Sequence, residues 1–137
     1  MTIGKLFPTN TMAKKWNASA FDADTMEKSL LLINAEDLIE TENIKLKTPQ
    51  IAENGAIVPL EITSGLKDTV AVHILVEKNP WPLVASFYFS ENTEPFISTR
   101  IKMRETSNVM VLAETKSKIF FTTNFVKVTI GGCGEEE

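Results

Sequence analysis

A chain of 137 residues, 43% hydrophobic and 23% charged, can bury one core and reads as a single globular domain, neither disordered nor fibrous. The net charge is −4, and Glu135, Glu136 and Glu137 supply three of those units. The body is therefore nearly neutral, and nothing draws it toward nucleic acid or anionic membrane. The longest apolar runs, at residues 29–35 and 69–76, are far too short to span a bilayer.

Residues 1–20 are polar and irregular, with Pro8, Asn10 and Asn17, and are expected to form an extended N-terminal arm. Lys14 and Lys15 lead into Trp16-Asn17-Ala18-Ser19, not into the apolar stretch of a secretory signal. Either the protein is cytoplasmic, or a leader has been removed and Met1 is not native. Asp24-Thr25-Met26-Glu27 has the form of a capping box. With Met26, Leu30 and Ile33 at helical spacing, it predicts a helix over about residues 25–34 and a further helical turn at 37–39.

From Ile44 the hydrophobic period changes to two. Ile44 and Leu46 alternate with lysines, and Asn54-Gly55 marks a turn. Val58, Leu60 and Ile62 then make a second strand, and Val70, Val72, Ile74 and Val76 a third, with His73 on the opposite face. Asn79-Pro80-Trp81-Pro82 must be a loop, since proline cannot donate to a ladder. Further strands are expected at 84–90, 96–103, 108–115, 118–123 and 125–130. Seven or eight short strands with regular turn signals predict an all-β fold, an antiparallel β-sandwich with an N-terminal helix and a flexible C-terminal arm. The domain plan is an arm over 1–20, helix plus sandwich over 21–130, and a carrier arm with an acidic tail over 131–137.

Catalytic chemistry finds few candidates. His73 is the only histidine, its neighbours Val72 and Ile74 suit a core or sheet-surface position, and no second histidine completes a metal site or serves as base for a thiol. A single cysteine excludes an intramolecular disulfide, a CxxC pair and a thiolate zinc site. No nucleotide-binding or hydrolase motif is present, and no cofactor is called for. Arg100, Lys102 and Arg104 alternate on a strand and could form an anion-binding stripe; the plainer reading turns them to solvent with Ile101 and Met103 inward. Phe120 and Phe121 must point to opposite faces. Together with Phe87 and Phe89 they offer more aromatic surface than one inner face needs, so one set serves a partner or packs under the helix.

Cys133 differs from all of this. It stands in Gly131-Gly132-Cys133-Gly134 immediately after a strand. Glycine on both sides leaves the backbone free to take almost any dihedral pair. Such a segment cannot build a pocket around its own thiol, but it can present the thiol to another protein's pocket. An idle exposed thiol would be an oxidation hazard. A reactive or carrier role for Cys133 is favoured over an idle thiol, with Gly131, Gly132 and Gly134 as the flexible arm.

These residues also carry a resemblance. Val128-Thr129-Ile130-Gly131-Gly132-Cys133-Gly134 resembles the Gly-Gly-Cys-Gly-Gly terminus of SoxY, the sulfur-carrier subunit of the bacterial Sox thiosulfate-oxidation system. The segments at 51–59, 76–80, 98–103 and 106–109 are similar to family segments in the family order. The resemblance runs from about Phe21 to Gly134. It implies an immunoglobulin-like sandwich that forms a heterodimer with a SoxZ-like subunit in the periplasm. It also implies a terminal cysteine bearing pathway intermediates, loaded oxidatively with thiosulfate by a haem-containing c-type cytochrome. A manganese-dependent hydrolase then releases sulfate, and a sulfane dehydrogenase acts on the remaining sulfur. No nucleic acid or membrane is among the implied partners. Two departures stand out: three glutamates follow Gly134 where the family ends in Gly-Gly, and the leader usual in the family's precursors is not seen. The glutamates disfavour a thiolate beside them.

Two other readings stay open from the residues alone. One is a β-sandwich protein–protein interaction module whose cysteine is incidental or forms a disulfide with a second copy. The other is a thiol enzyme, which would need a cradle of donors that a glycine-rich tail does not supply.

Overall fold

The computed structural model describes residues 16–131. The first helix, α1 (Ala18–Asp22), starts at Asn17, whose side chain accepts a hydrogen bond from Ala20 N at 3.1 Å. The arm expected through residue 20 therefore gives way to helix at Ala18, because Asn17 acts as an N-cap rather than as a loop residue. The second helix, α2 (Met26–Leu32), is capped by Thr25, whose hydroxyl accepts from Lys28 N at 3.1 Å. That displaces the expected capping box by one residue. The third helical position is then Lys28, not Glu27, and Lys28 reaches back to Asp24 at 2.9 Å. The Asp24 carboxyl is held below its ordinary value by that hydrogen bond first and by the lysine charge second. The link is thus present at neutral pH and lost as pH falls through the lowered value.

At its other end α2 closes with Ala35 N donating to Leu30 O (2.9 Å) and Asn34 N to Leu31 O (3.1 Å), the two-bond stop that needs a left-handed residue at Asn34. Asn34 has φ 58°, and the other non-glycine residues of positive φ are Asp37, Asp68 and Asn92. All are Asn or Asp, the side chains that tolerate this region best.

Nine strands follow among the described residues: β1 (Ile39–Glu40), β2 (Ile44–Lys47), β3 (Ile51–Ala52), β4 (Val58–Ser64), β5 (Thr69–Val76), β6 (Leu83–Tyr88), β7 (Phe96–Ile101), β8 (Ser107–Thr115) and β9 (Ile119–Val128). One sheet has the order β2-β4-β7; the other runs β1-β9-β8-β5-β6, with β3 also on β9. The seven longer strands pair antiparallel, and the chain crosses between the sheets at β4–β5, β6–β7 and β7–β8, as an immunoglobulin-like sandwich does.

The strand count departs from expectation in three places. The helical turn expected at 37–39 is replaced by a bend at Asp37 with β1 starting at Ile39, and β1 and β3 both pair parallel with β9. The strands expected at 118–123 and 125–130 are one ten-residue strand. Asn124, which reads as a break, lies inside it because its amide donates to Leu46 O (3.0 Å) and Thr48 Oγ1 (3.2 Å) across the sandwich.

The larger sheet is buried on both faces, which is why β5 reads as a nearly unbroken apolar run. Val72, Ile74, Val76, Val109, Val111 and Val126 face the smaller sheet's Val58, Leu60, Ile62 and Ile101. On the other face Leu75, Leu83 and Leu112 pack with Ala20, Phe21, Met26, Leu30 and Ile33 of the helical segment. Phe120 joins the first cluster and Phe121 the second, so the outward phenylalanine packs under the helices.

Candidate functional site

The body delivers its C-terminal segment through the end of β9, and that end is held from both sides. On one flank Lys127 N donates to Gln50 O and Thr129 N to Ala52 O, each at 3.0 Å, and Gly55 N donates to Ile130 O at 2.8 Å. The Thr129 hydroxyl adds a bond to Glu53 O at 3.0 Å. On the other flank the Thr106 hydroxyl accepts from Val128 N (2.9 Å) and donates to Val128 O (3.3 Å). The Asn54-Gly55 turn therefore positions the exit as well as reversing the chain. Gly131 is buried and is the last described residue; Gly132, Cys133 and Gly134 lie outside the described residues. Cys133 is the second residue after Gly131, a reach of at most roughly 7 Å.

His73 is buried, with 3% exposure, on the face of the larger sheet that the helices also cover. Its Nδ1 lies 2.7 Å from Ser86 Oγ and its Nε2 2.7 Å from Glu114 Oε2, while the Tyr88 ring meets it edge-on. Ser86 is directly opposite His73 on β6, and Glu114 is diagonal to it on β8. This network ties three adjacent strands and satisfies a buried polar side chain, which matches the structural reading of His73. Strand alternation could have put Ser86 and Glu114 on the same face, but the pairing register that brings them together is not written in any one segment.

Arg100, Lys102 and Arg104 are exposed, and Ile101 and Met103 are buried beneath them. Asn79 fixes this stretch, its side chain donating to Lys102 O (2.8 Å) and accepting from Arg104 N (2.9 Å). The three cations border a groove of about 620 Å³ whose apolar lining includes Trp81, Leu83, Val84 and Ile101. Among the described residues, none of the three has an ion-pair partner, and no cluster of three His, Cys, Asp or Glu side chains could hold a metal. No helix among the described residues is long and apolar enough to cross a membrane.

Comparison with known families places residues 31–133 on the model of the sulfur oxidation protein SoxY. The chain belongs to the SoxY family. The matched span begins within α2 and ends on Cys133 itself. Among solved structures, the sulfur carrier protein SoxY from Chlorobium limicola f thiosulfatophilum is similar, with a TM-score of 0.68 and 31% sequence identity. That alignment covers 76% of this chain and 94% of the other. No curated protein matches the chain. The SoxY body thus supplies an exit braced up to Ile130, and the family span continues over the next three residues to the cysteine.

Proposed function

We propose that the protein is a covalent sulfur carrier that holds thiosulfate-derived intermediates on Cys133 and presents them to partner enzymes. The observation that carries this reading is the SoxY match, which ends on Cys133. The hydrogen-bonded end of β9 supports it, because a thiol tethered to a fixed root keeps its high local concentration near any partner bound to the body. Gly131, Gly132 and Gly134 serve as joints, since glycine imposes the fewest dihedral limits.

Loading joins the Cys133 thiolate to the outer sulfur of thiosulfate through a new S–S bond, and two electrons pass to a c-type cytochrome partner. Hydrolysis by a second partner consumes water, releases sulfate and two protons, and leaves a persulfide on the cysteine. The carrier itself performs neither step. A SoxZ-like subunit completes the heterodimer, a sulfane dehydrogenase is a further partner, and the assembly works in the periplasm.

Intact-mass measurement after incubation with thiosulfate and the loading cytochrome tests this directly. The mass should rise by one S₂O₃ unit, and the rise should vanish in Cys133→Ser while partner binding persists. An adduct that survives the substitution, or none in the unsubstituted protein, overturns the reading.

A further inference from the structure

The groove between β6 and β7 lies on the open side of the sandwich. Among the described residues β6 pairs only with β5 and β7 only with β4, so a strand edge without a partner among them runs along each side. Its lining is apolar in the middle and basic along one margin. Three cations with no ion-pair partner among the described residues, beside an indole that is 58% exposed, form a surface suited to an acidic segment.

The exit of the chain lies beside it. Gly55 N bonds to Ile130 O, and Gly55 O in turn accepts from Met103 N at 2.6 Å. Met103 stands between Lys102 and Arg104. Two main-chain crossings of about 4.8 Å each put Met103 roughly 10 Å from Ile130. Four to six residues beyond Gly131 come Glu135, Glu136 and Glu137, a reach of about 13–20 Å. Three carboxylates on a tether of adequate length are therefore within reach of three cations, at high effective concentration.

We propose that the acidic segment Glu135–Glu137 docks on the Arg100, Lys102 and Arg104 margin of this groove, drawing the Cys133 segment against the body. The docking needs only charge and reach. Its consequence, a carrier thiol held back until a partner's own basic surface competes for the glutamates, rests on the carrier reading. Exposed ion pairs are individually weak, so the docked and released states exchange readily and salt shifts the balance.

The test uses the full chain, ¹⁵N-labelled, with Cys133→Ser to exclude disulfide dimers and any sulfur loading, so its outcome is independent of carrier function. The Trp81 indole N–H reports on the groove; Trp16, stacked on Phe21 with ring centres 4.3 Å apart, serves as the control. At low salt, E135Q/E136Q/E137Q should move the Trp81 signal and leave Trp16 in place. About 1 M salt, where the screening length is roughly 3 Å, should move the parent signal to the variant's position. In an R100Q/K102Q/R104Q background the tail substitutions should add no further shift. The tail variant changes nothing in the folded body, so misfolding cannot imitate the effect. An unmoved Trp81 signal, or a tail effect that persists without the cations, overturns the proposal. A signal that depends on protein concentration does so too, since it assigns the groove to a second copy.

Discussion

At the scale of single residues, Cys133 and His73 are the two chemically capable side chains. For Cys133, glycine on either side and a strand before it favour presentation as the use of the thiol, and that role stays with the proposed function. His73 was legible only as far as its face. Its partners Ser86 and Glu114 come from other strands, 13 and 41 residues away, and no local pattern announces a pairing at that separation. Removing the imidazole, itself 3% exposed, takes one hydrogen-bond partner from each of the half-buried Ser86 and Glu114 and leaves a cavity behind. His73→Ala should therefore lower unfolding stability by about 2 kcal/mol, read from urea denaturation. The same variant should leave loading of Cys133 unchanged; a fall in loading with fold intact would give His73 a place in the chemistry. Thr106 is the residue to change for the exit. Its hydroxyl is the side-chain bond that holds Val128 from the β8 side. Thr106→Val should cost about 1 kcal/mol and raise hydrogen exchange at the Val128 amide above that of neighbouring β9 amides.

At the scale of elements, alternation located the longer strands but split β9 in two, because a half-buried strand must alternate and Asn124 interrupts the apolar pattern. β4 reads inward-outward over its whole length, as its sequence requires. The errors fell where side-chain bonding overrides the local signal. Asn17 and Thr25 cap helices, Asn34 stops one, and Asn124 sits mid-strand because it bonds across the sandwich. The two-residue strands β1 and β3 exist through parallel pairing with β9, a long-range contact with no periodicity of its own. Phe121 gives this scale its test, since it is half-buried between β9 and the helical segment. Phe121→Ala should destabilise by about 3 kcal/mol, and it should increase hydrogen exchange in α2 more than in β4 or β7.

At the scale of the molecule, the larger sheet is the middle layer of three, with the smaller sheet on one face and the helices on the other. Val111 and Leu112 are consecutive on β8 yet belong to different clusters. Each is fully buried, so Val111→Ala and Leu112→Ala should each cost about 2–4 kcal/mol. Thermal unfolding should remain a single transition in both, because β8 is common to the two cores; separate transitions would contradict this three-layer account. The open β6–β7 side was not legible in advance. Alternation showed that Arg100, Lys102 and Arg104 share a face, but their closeness to the chain exit comes from Gly55 bridging Ile130 and Met103, a tertiary fact. The proposed carrier role joins the braced exit to the glycine-flanked thiol, and the measurement that tests it most directly is the intact mass of the protein isolated from its own source during growth on thiosulfate. The carrier account predicts a fraction bearing sulfur adducts that fragmentation localises to Cys133 and that a thiol reductant removes. Protein with an unmodified Cys133 throughout, or sulfur bound elsewhere, would contradict it.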